Sequence, residues 1–495
     1  MIELTPAVRR RIVLGVAVVA VTYFVLREWT RVGEELPGLG TSLFILGMLA
    51  VFGAFAYASK RVVHREAWLL AIPIVILAVD MTLYANPAVL MLGTLGAIGL
   101  LVVFIVHLLS DHIRLRSAFW VGVFGPFAFA PLALRGTHAA VIEAIGHRRG
   151  ERSRIVYGII AGVVIAIPFL AVFSTVFMEA NAAFSGLVDG VLAWTHVYAI
   201  DDVSGWIMRA ALAVLLGGFV GGLVLFPAKQ HRTFNVRVPA VTATTFFVLL
   251  NVLFFVFLAF QVPEMFASDA WMRAHNLTYA GLARQSFGEL VLASIFALLT
   301  VLLWYFVMAQ ADLRARRVTL SAASVFIACT VVVAISALQR IIRYEAVYGL
   351  TLSRMYATVA VVTIIIALVL LGVALWRSRT LAQLLRQLVM LGIVAFTLTM
   401  SFPMERVVAA WNVRRELSGF AHRPEFDVTY LLHRSPDAWT PLLAAPHDVL
   451  NGFPGPIKTT PMEQMRQHCD NERKWGGWRT YHFFARRSCA AILQQ

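Results

Sequence analysis

Runs of about twenty apolar residues recur along most of this chain, and no other feature limits its fold as strongly. An apolar helix of that length reaches across the hydrocarbon core of a bilayer. Water is absent there, so backbone N–H and C=O groups must pair internally, and only helices and closed barrels cross. The runs are continuous rather than alternating, which leaves helices. Composition agrees, since 60% of the 495 residues are hydrophobic and 14% are charged. The expected fold is all-α: a polytopic helical membrane bundle of about eleven (ten to twelve) transmembrane helices with a small, mainly helical, polar C-terminal domain.

Spans are expected at roughly 11–28, 40–58, 67–86, 88–109, 155–178, 205–227, 238–261, 287–308, 318–338, 355–376 and 386–402. The segment 117–134 is apolar but carries Gly122, Gly125, Pro126 and Pro131. It reads as a span, a re-entrant segment or an interfacial helix. Three regions follow: N-terminal membrane helices over 1–135, a membrane core over 136–402 and a polar C-terminal domain over 403–495.

The net charge of +15 would point to nucleic acid in a soluble chain. Here the basic residues sit in short loops between spans, where topogenesis accounts for them, so no nucleic-acid partner is expected. If 117–134 does not cross, Arg9 to Arg11, the basic stretch Arg135 to Arg154, and Arg314, Arg316 and Arg317 share one side. The loop from Glu179 to Ser204 faces the other, with four acids and no Lys or Arg. The positive-inside rule then puts the N-terminus in the cytoplasm and the C-terminal domain outside it. Arg9 to Arg11 followed by an apolar run to Leu26, with no small-x-small cleavage site, read as an uncleaved signal anchor. Cys329 lies in an apolar run. Cys469 and Cys489 lie in the polar tail, as a disulfide if the tail is extracytoplasmic or as two thiols if it is not.

A polar gap at 343–351, between two long apolar runs, is the oddest stretch of the chain. Its residues Glu345-Ala346-Val347-Tyr348-Gly349-Leu350-Thr351, with Arg354, resemble the hallmark of a bacterial multi-pass membrane family catalogued as a domain of unknown function. Three further stretches resemble that family in order. They are Leu277-Thr278-Tyr279-Ala280 through Ala283-Arg284 and Phe287, then Arg406 to Val413 around Asn412, then Asp427 to Leu432 followed by Ser435-Pro436-Asp437-Ala438. The resemblance covers about residues 140–495, with Gly281, Leu282 and Ser286 standing where the family has Glu, Tyr and Gly. It implies a multi-pass protein of a bacterial cytoplasmic (inner) membrane and brings no catalytic residues.

Charge beside hydrocarbon is expensive and is usually kept for a use. Asp80 lies near the outer end of its span, with Tyr84 one turn on. Arg209 and Glu289 open spans from outside, and Arg340, Arg343, Glu345 and Arg354 are expected in an outer loop. With the motif residues Tyr279, Arg284, Tyr348, Asn412, Asp427 and Tyr430 they form a candidate outer-face cluster. It reads either as a site for an anionic headgroup, with Arg forks as clamps, or as a latch of ion pairs holding the C-terminal domain on the bundle. Asn251, mid-span, reads as interhelical glue, and the overlapping small-residue pattern from Gly217 to Gly222 as a helix seam within the chain or between copies. His107 with Asp111, and His468, Cys469, His482 and Cys489, match no compact metal pattern. Nucleophile-elbow, phosphate-loop and dinucleotide-loop motifs are absent. No catalytic residue, metal or cofactor is therefore assigned, and the chain leans away from an enzyme.

Two function classes follow. One is a cell-envelope scaffold or sensor, partnered by membrane lipids and by an envelope protein or an anionic lipid headgroup. The other is a transporter or a lipid- or envelope-precursor-handling protein using the same outer cluster. Transporters favour internal repeats and midplane charge, and neither is evident here, which favours the first.

Overall fold

The computed structural model describes residues 25, 37–58, 65–109, 151–194, 239–266, 279–308, 313–377, 381–418, 428–445, 460–475 and 477–494. Helices make up nearly all of them, and no strand occurs among the described residues. Ten helices carry the apolar sequence: α1 (Leu39–Ala58), α2 (Arg65–Leu83), α3 (Pro87–Leu109), α4 (Glu151–Ala180), α5 (Ala182–Trp194), α6 (Ala240–Met265), α7 (Tyr279–Met308), α8 (Leu313–Tyr348), α9 (Leu352–Trp376) and α10 (Leu381–Ser401). The polar helices α11 (Met404–Leu417), α12 (Val428–Leu432), α13 (Trp439–Leu442), α14 (Pro461–Trp475) and α15 (Phe483–Gln494) follow.

Seven of these helices, α3, α4 and α6 to α10, are long and apolar enough to cross a membrane, and α1, α2 and α5 carry shorter apolar stretches. The chain is a multi-pass helical membrane protein. The expected spans at 11–28 and 205–227, the doubtful segment 117–134 and the Gly217 to Gly222 seam lie outside the described residues.

By contacts the chain forms two units, and they do not follow chain order. One contains 1–119, 348–356 and 392–495, and the other contains 120–347 and 357–391. The first has a core of α1, α2 and α3, with Ile45, Ile74, Met81 and Phe104 fully enclosed. Ser42 reinforces α1 against α2 by donating to the Ala78 carbonyl at 2.5 Å. The second has an aromatic core in which Phe177 and Phe257 stack 3.8 Å apart while Phe173 and Phe326 meet Phe254 edge-on. Large rings at helical spacing fill the room between α4, α6 and α8, and each buries far more area than an aliphatic side chain.

α6 and α8 run parallel, and a series of polar contacts joins them. Thr244 meets Thr319 at 2.9 Å, Asn251 donates to the Ala322 carbonyl at 2.9 Å, and Gln261 donates to Ser336 at 2.6 Å. Both partners' numbers rise together, so the helices share one direction, as two helices separated by a single return helix should. Asn251 thus does bind helix to helix, which in a bilayer contributes about 0.6 kcal/mol on average.

One expectation is corrected here. Arg340, Arg343, Glu345 and Arg354 do not lie in a loop, because α8 continues unbroken to Tyr348 and α9 begins at Leu352. Nothing from Arg340 to Tyr348 is Gly or Pro, so no residue stops the helix. At 36 residues α8 is roughly 54 Å long, well beyond an apolar core of about 30 Å. Gly349 ends it with φ +81, the left-handed conformation common just past a helix C-terminus. A Cβ at Gly349 would also lie 2.6 Å from Asn412 Oδ1 and from Arg415 Nη1. Gly349→Ala should therefore cost at least about 1–2 kcal/mol from backbone conformation alone, with a further loss from the clash. Thermal unfolding of the detergent-solubilised protein checks this, and a midpoint equal to wild type would refute it.

Candidate functional site

Within the second unit, charge gathers around the end of α6. Glu264, on the last turn of α6, is the centre. Arg340 Nη2 donates to its Oε2 at 2.5 Å, and Asn181 Nδ2 donates to its Oε1 at 2.9 Å. Asn181 itself lies between α4 and α5, where its Oδ1 accepts the Phe184 N–H and caps α5. Arg340 also donates to Ser286 on α7. Arg340 is 6% exposed, and besides Glu264 it feels the charge of Glu289. Arg343 donates to the Met265 carbonyl at 2.8 Å, satisfying the end of α6. Glu345 accepts from Thr358 at 3.4 Å.

Burying an ion pair gains little over an apolar pair, but removing one partner strands the other. Arg340→Ala should thus destabilise by about 3–5 kcal/mol, whereas Glu264→Leu combined with Arg340→Met should recover most of that loss. Thermal melts and steady-state abundance of the three proteins decide. A double variant as unstable as the single one would show that the pair's charge is not what matters.

Within the first unit, the turn between α8 and α9 is held by side chains from far along the chain. Asn412 on α11 accepts the Leu350 N–H at 3.0 Å and returns a bond to the Leu350 carbonyl at 2.9 Å. The Leu352 N–H donates to the Tyr430 hydroxyl at 3.1 Å, and Arg434 covers the Tyr430 ring at 4.5 Å. Arg354 folds back to the Gly349 carbonyl at 2.5 Å.

The turn between α2 and α3 is held in a comparable way. The Ala85 N–H donates to Asp437 Oδ2 at 2.8 Å, Asn86 caps α3 through the Ala88 N–H at 2.7 Å, and His482 Nδ1 donates to the Met81 carbonyl at 3.1 Å. Tyr84 donates to the Ser401 carbonyl at 2.7 Å, while the Ser401 hydroxyl donates to Asp80 at 2.5 Å. The Phe484 ring stacks on Tyr84 at 5.4 Å. Glu405, on the first turn of α11, accepts both the N–H and the hydroxyl of Ser435, and Ser435 Oγ accepts the Asp437 N–H at 3.3 Å.

Burial dominates the electrostatics of this region. It raises Glu405 above the usual carboxylate range and pushes Asp437 up to about 7, with the neighbouring Glu405 charge adding to the rise. Tyr84 is raised to about 12, by burial first and then by the charges of Asp80 and Asp437. His482 is lowered by burial, against hydrogen bonds to the backbone of Met81 and Tyr84 that favour its charged form.

The sequence-derived candidates therefore divide between the two units. Glu289, Arg340, Arg343 and Glu345 belong to the second, and Asp80, Tyr348, Arg354, Asn412 and Tyr430 to the first. Arg209 and Asp427 lie outside the described residues, as do the side chains of Tyr279 and Arg284 on the first turns of α7. Cys469 and Cys489 form a disulfide joining α14 to α15, with Cα atoms 5.2 Å apart.

Sequence reasoning missed Glu264 and Glu405, and it named Asp437 and His482 without placing them in the cluster. Glu264 falls three residues past the expected end of its span, so it reads as loop. Asp437 stands inside a stretch quoted for the family resemblance. The Ser-Pro-Asp order there, with a capping serine before a proline, was a legible signal of an acid held in a built turn.

Fold and site together define a multi-pass helical membrane protein in which polar C-terminal residues help to close two of the described membrane-helix turns. A family model described as "Domain of unknown function (DUF4153)" matches residues 67–445, and the chain belongs to that family. No curated protein and no solved structure matches it.

The lowered His482 gives a pH test. In the unfolded chain it protonates near its ordinary 6.5. In the fold it resists, so its contribution is present above 6.5 and is lost as pH falls below that value. Asp437 acts in the opposite sense, its contribution fading as pH rises from 3.8 toward about 7. The informative quantity is thus the difference between wild type and His482→Asn, which retains a donor for the Met81 carbonyl. Wild type should lose thermal stability relative to the variant between pH 7 and pH 5.5, and parallel melting curves across that range would exclude the assignment.

Proposed function

We propose that this protein is a cell-envelope scaffold or sensor of a bacterial inner membrane, with a cytoplasmic N-terminus and a C-terminal region on the outer side. The observation that carries this reading is the fastening of polar C-terminal residues to membrane-helix turns within one unit. Asp437 and His482 hold the turn after α2, and Asn412 and Tyr430 hold the turn before α9. Attachment through side chains bonded to the backbone of the turns suits a region that presents a partner surface at a fixed place on the membrane. Sidedness is supported by the charge asymmetry of the loops and by the Cys469–Cys489 disulfide, which belongs in an oxidising compartment.

The transporter reading draws on charge among the helices of the second unit, which membrane proteins usually keep for a use. Against it, both carboxylate oxygens of Glu264 are already engaged by Arg340 and Asn181. That is how a structural pair is built, and it leaves little for a moving substrate.

In intact cells, an impermeant maleimide should label Cys469 and Cys489 only after external reductant. Labelling that requires cell lysis would reverse the sidedness. A deletion strain should be sensitive to envelope stress and rescued by the full chain but not by one ending at Phe402. Rescue by the shortened chain would remove the C-terminal region from the function.

A further inference from the structure

We propose that a groove between α8 and α9 is a binding site for one anionic phospholipid, with an acyl chain in the groove and the phosphate at Arg377. The groove lies wholly in the second unit, at the end of the α8–α9 pair away from the Gly349 turn. Its volume is about 440 Å³, within the roughly 300 to 1,000 Å³ of small-molecule pockets. Both helices are long and apolar enough to cross a membrane, and Val369 and Val373 on the groove wall are exposed, as side chains that meet hydrocarbon are.

Gly372 keeps the groove open. It lies inside α9, and a Cβ built on it would sit 3.8 Å from Ile327 Cγ2, an ordinary contact. Neither a left-handed backbone nor a close helix approach therefore calls for glycine, which destabilises a helix interior. Its missing side chain leaves room beside Ile327, between Val369 and Val373. Trp376 closes the end of that room. Its indole N–H donates to Ser324 Oγ on α8 at 2.8 Å, which holds the exposed ring across the seam.

Charge then chooses the ligand. Arg377 lines the groove next to Trp376, and no carboxylate lines it. Arg317 is exposed seven residues before Ser324, which places it on the same face of α8, about two turns further toward the same end. An apolar trough that runs into basic side chains matches a molecule with hydrocarbon at one end and negative charge at the other. Free phosphate would leave the apolar walls bare, and an uncharged lipid would leave the guanidinium unused. Basic pockets between membrane helices take acidic headgroups for this reason, with Arg as a forked donor to phosphate oxygens. The inference rests on neither the sidedness nor the scaffold role proposed above.

The test uses the full-length protein in detergent and native mass spectrometry, with phosphatidylglycerol as the probe and zwitterionic phosphatidylcholine as the comparison. Wild type should retain one phosphatidylglycerol in preference to phosphatidylcholine. Arg377→Gln should lower that preference about fivefold, the effect of one basic residue on an anionic lipid. Gly372→Leu keeps every charge and fills the groove, so it should lose the retained phosphatidylglycerol for a reason that charge does not supply. Three results overturn the proposal: no preference between the two lipids in wild type, retention by Gly372→Leu equal to wild type, or a preference undiminished in Arg377→Gln. A wild-type dimer that Gly372→Leu abolishes, with no lipid bound in either, would give the groove to a second copy and overturn it as well. Arg377 is exposed and lies just past the end of α9, so Arg377→Gln should fold and keeps the test decisive if Gly372→Leu does not.

Discussion

Ending a membrane helix is harder than crossing with one. Along a span every backbone group is paired within the helix, but the first N–H groups and last C=O groups are not, and near the bilayer they cannot rely on water. The architecture is organised around meeting that requirement with side chains. Asn86 caps α3, and Asn181 caps α5 while also steadying Glu264. Arg343 takes a carbonyl at the end of α6, His482 one at the end of α2, and Asn412 both groups of Leu350. Each of these residues is polar, most are buried, and each closes a turn that apolar residues could not close.

This requirement explains why stretches far apart in sequence act together. Gly349, Asn412 and Tyr430 come from three of the four stretches that resemble the family, and they meet at one turn. Asn412 matches both the N–H and the C=O of one residue, Leu350, with the acceptor and donor of its amide, and Gly349 leaves the space for it. Ser286 stands where the resemblance has Gly, and in this chain it receives Arg340. The family signature is thus read most simply as the parts of a turn clamp.

How much of this could be read from the chain depends on the range of the interaction. The all-α membrane class and most span positions were legible, because twenty apolar residues in a row admit few alternatives. α8 was shortened in the reading because Arg340 to Tyr348 looks polar, yet polarity does not break a helix, and only Gly349 does. Glu264 and Arg340 are separated by 76 residues, and Ala85 and Asp437 by 352, so no local pattern pairs them. A charge near a span boundary announces that it needs a partner. It does not announce which one.

The two ionic groups are alike in being assembled from residues distant in sequence. Around Glu264 the partners nearly close the account of donors and acceptors: both carboxylate oxygens are engaged, and Arg340 donates to two residues. Around Asp437 the turn after α2 supplies the Ala85 N–H, while Ser435 serves the neighbouring Glu405. A closed network resists change and makes a good fastening.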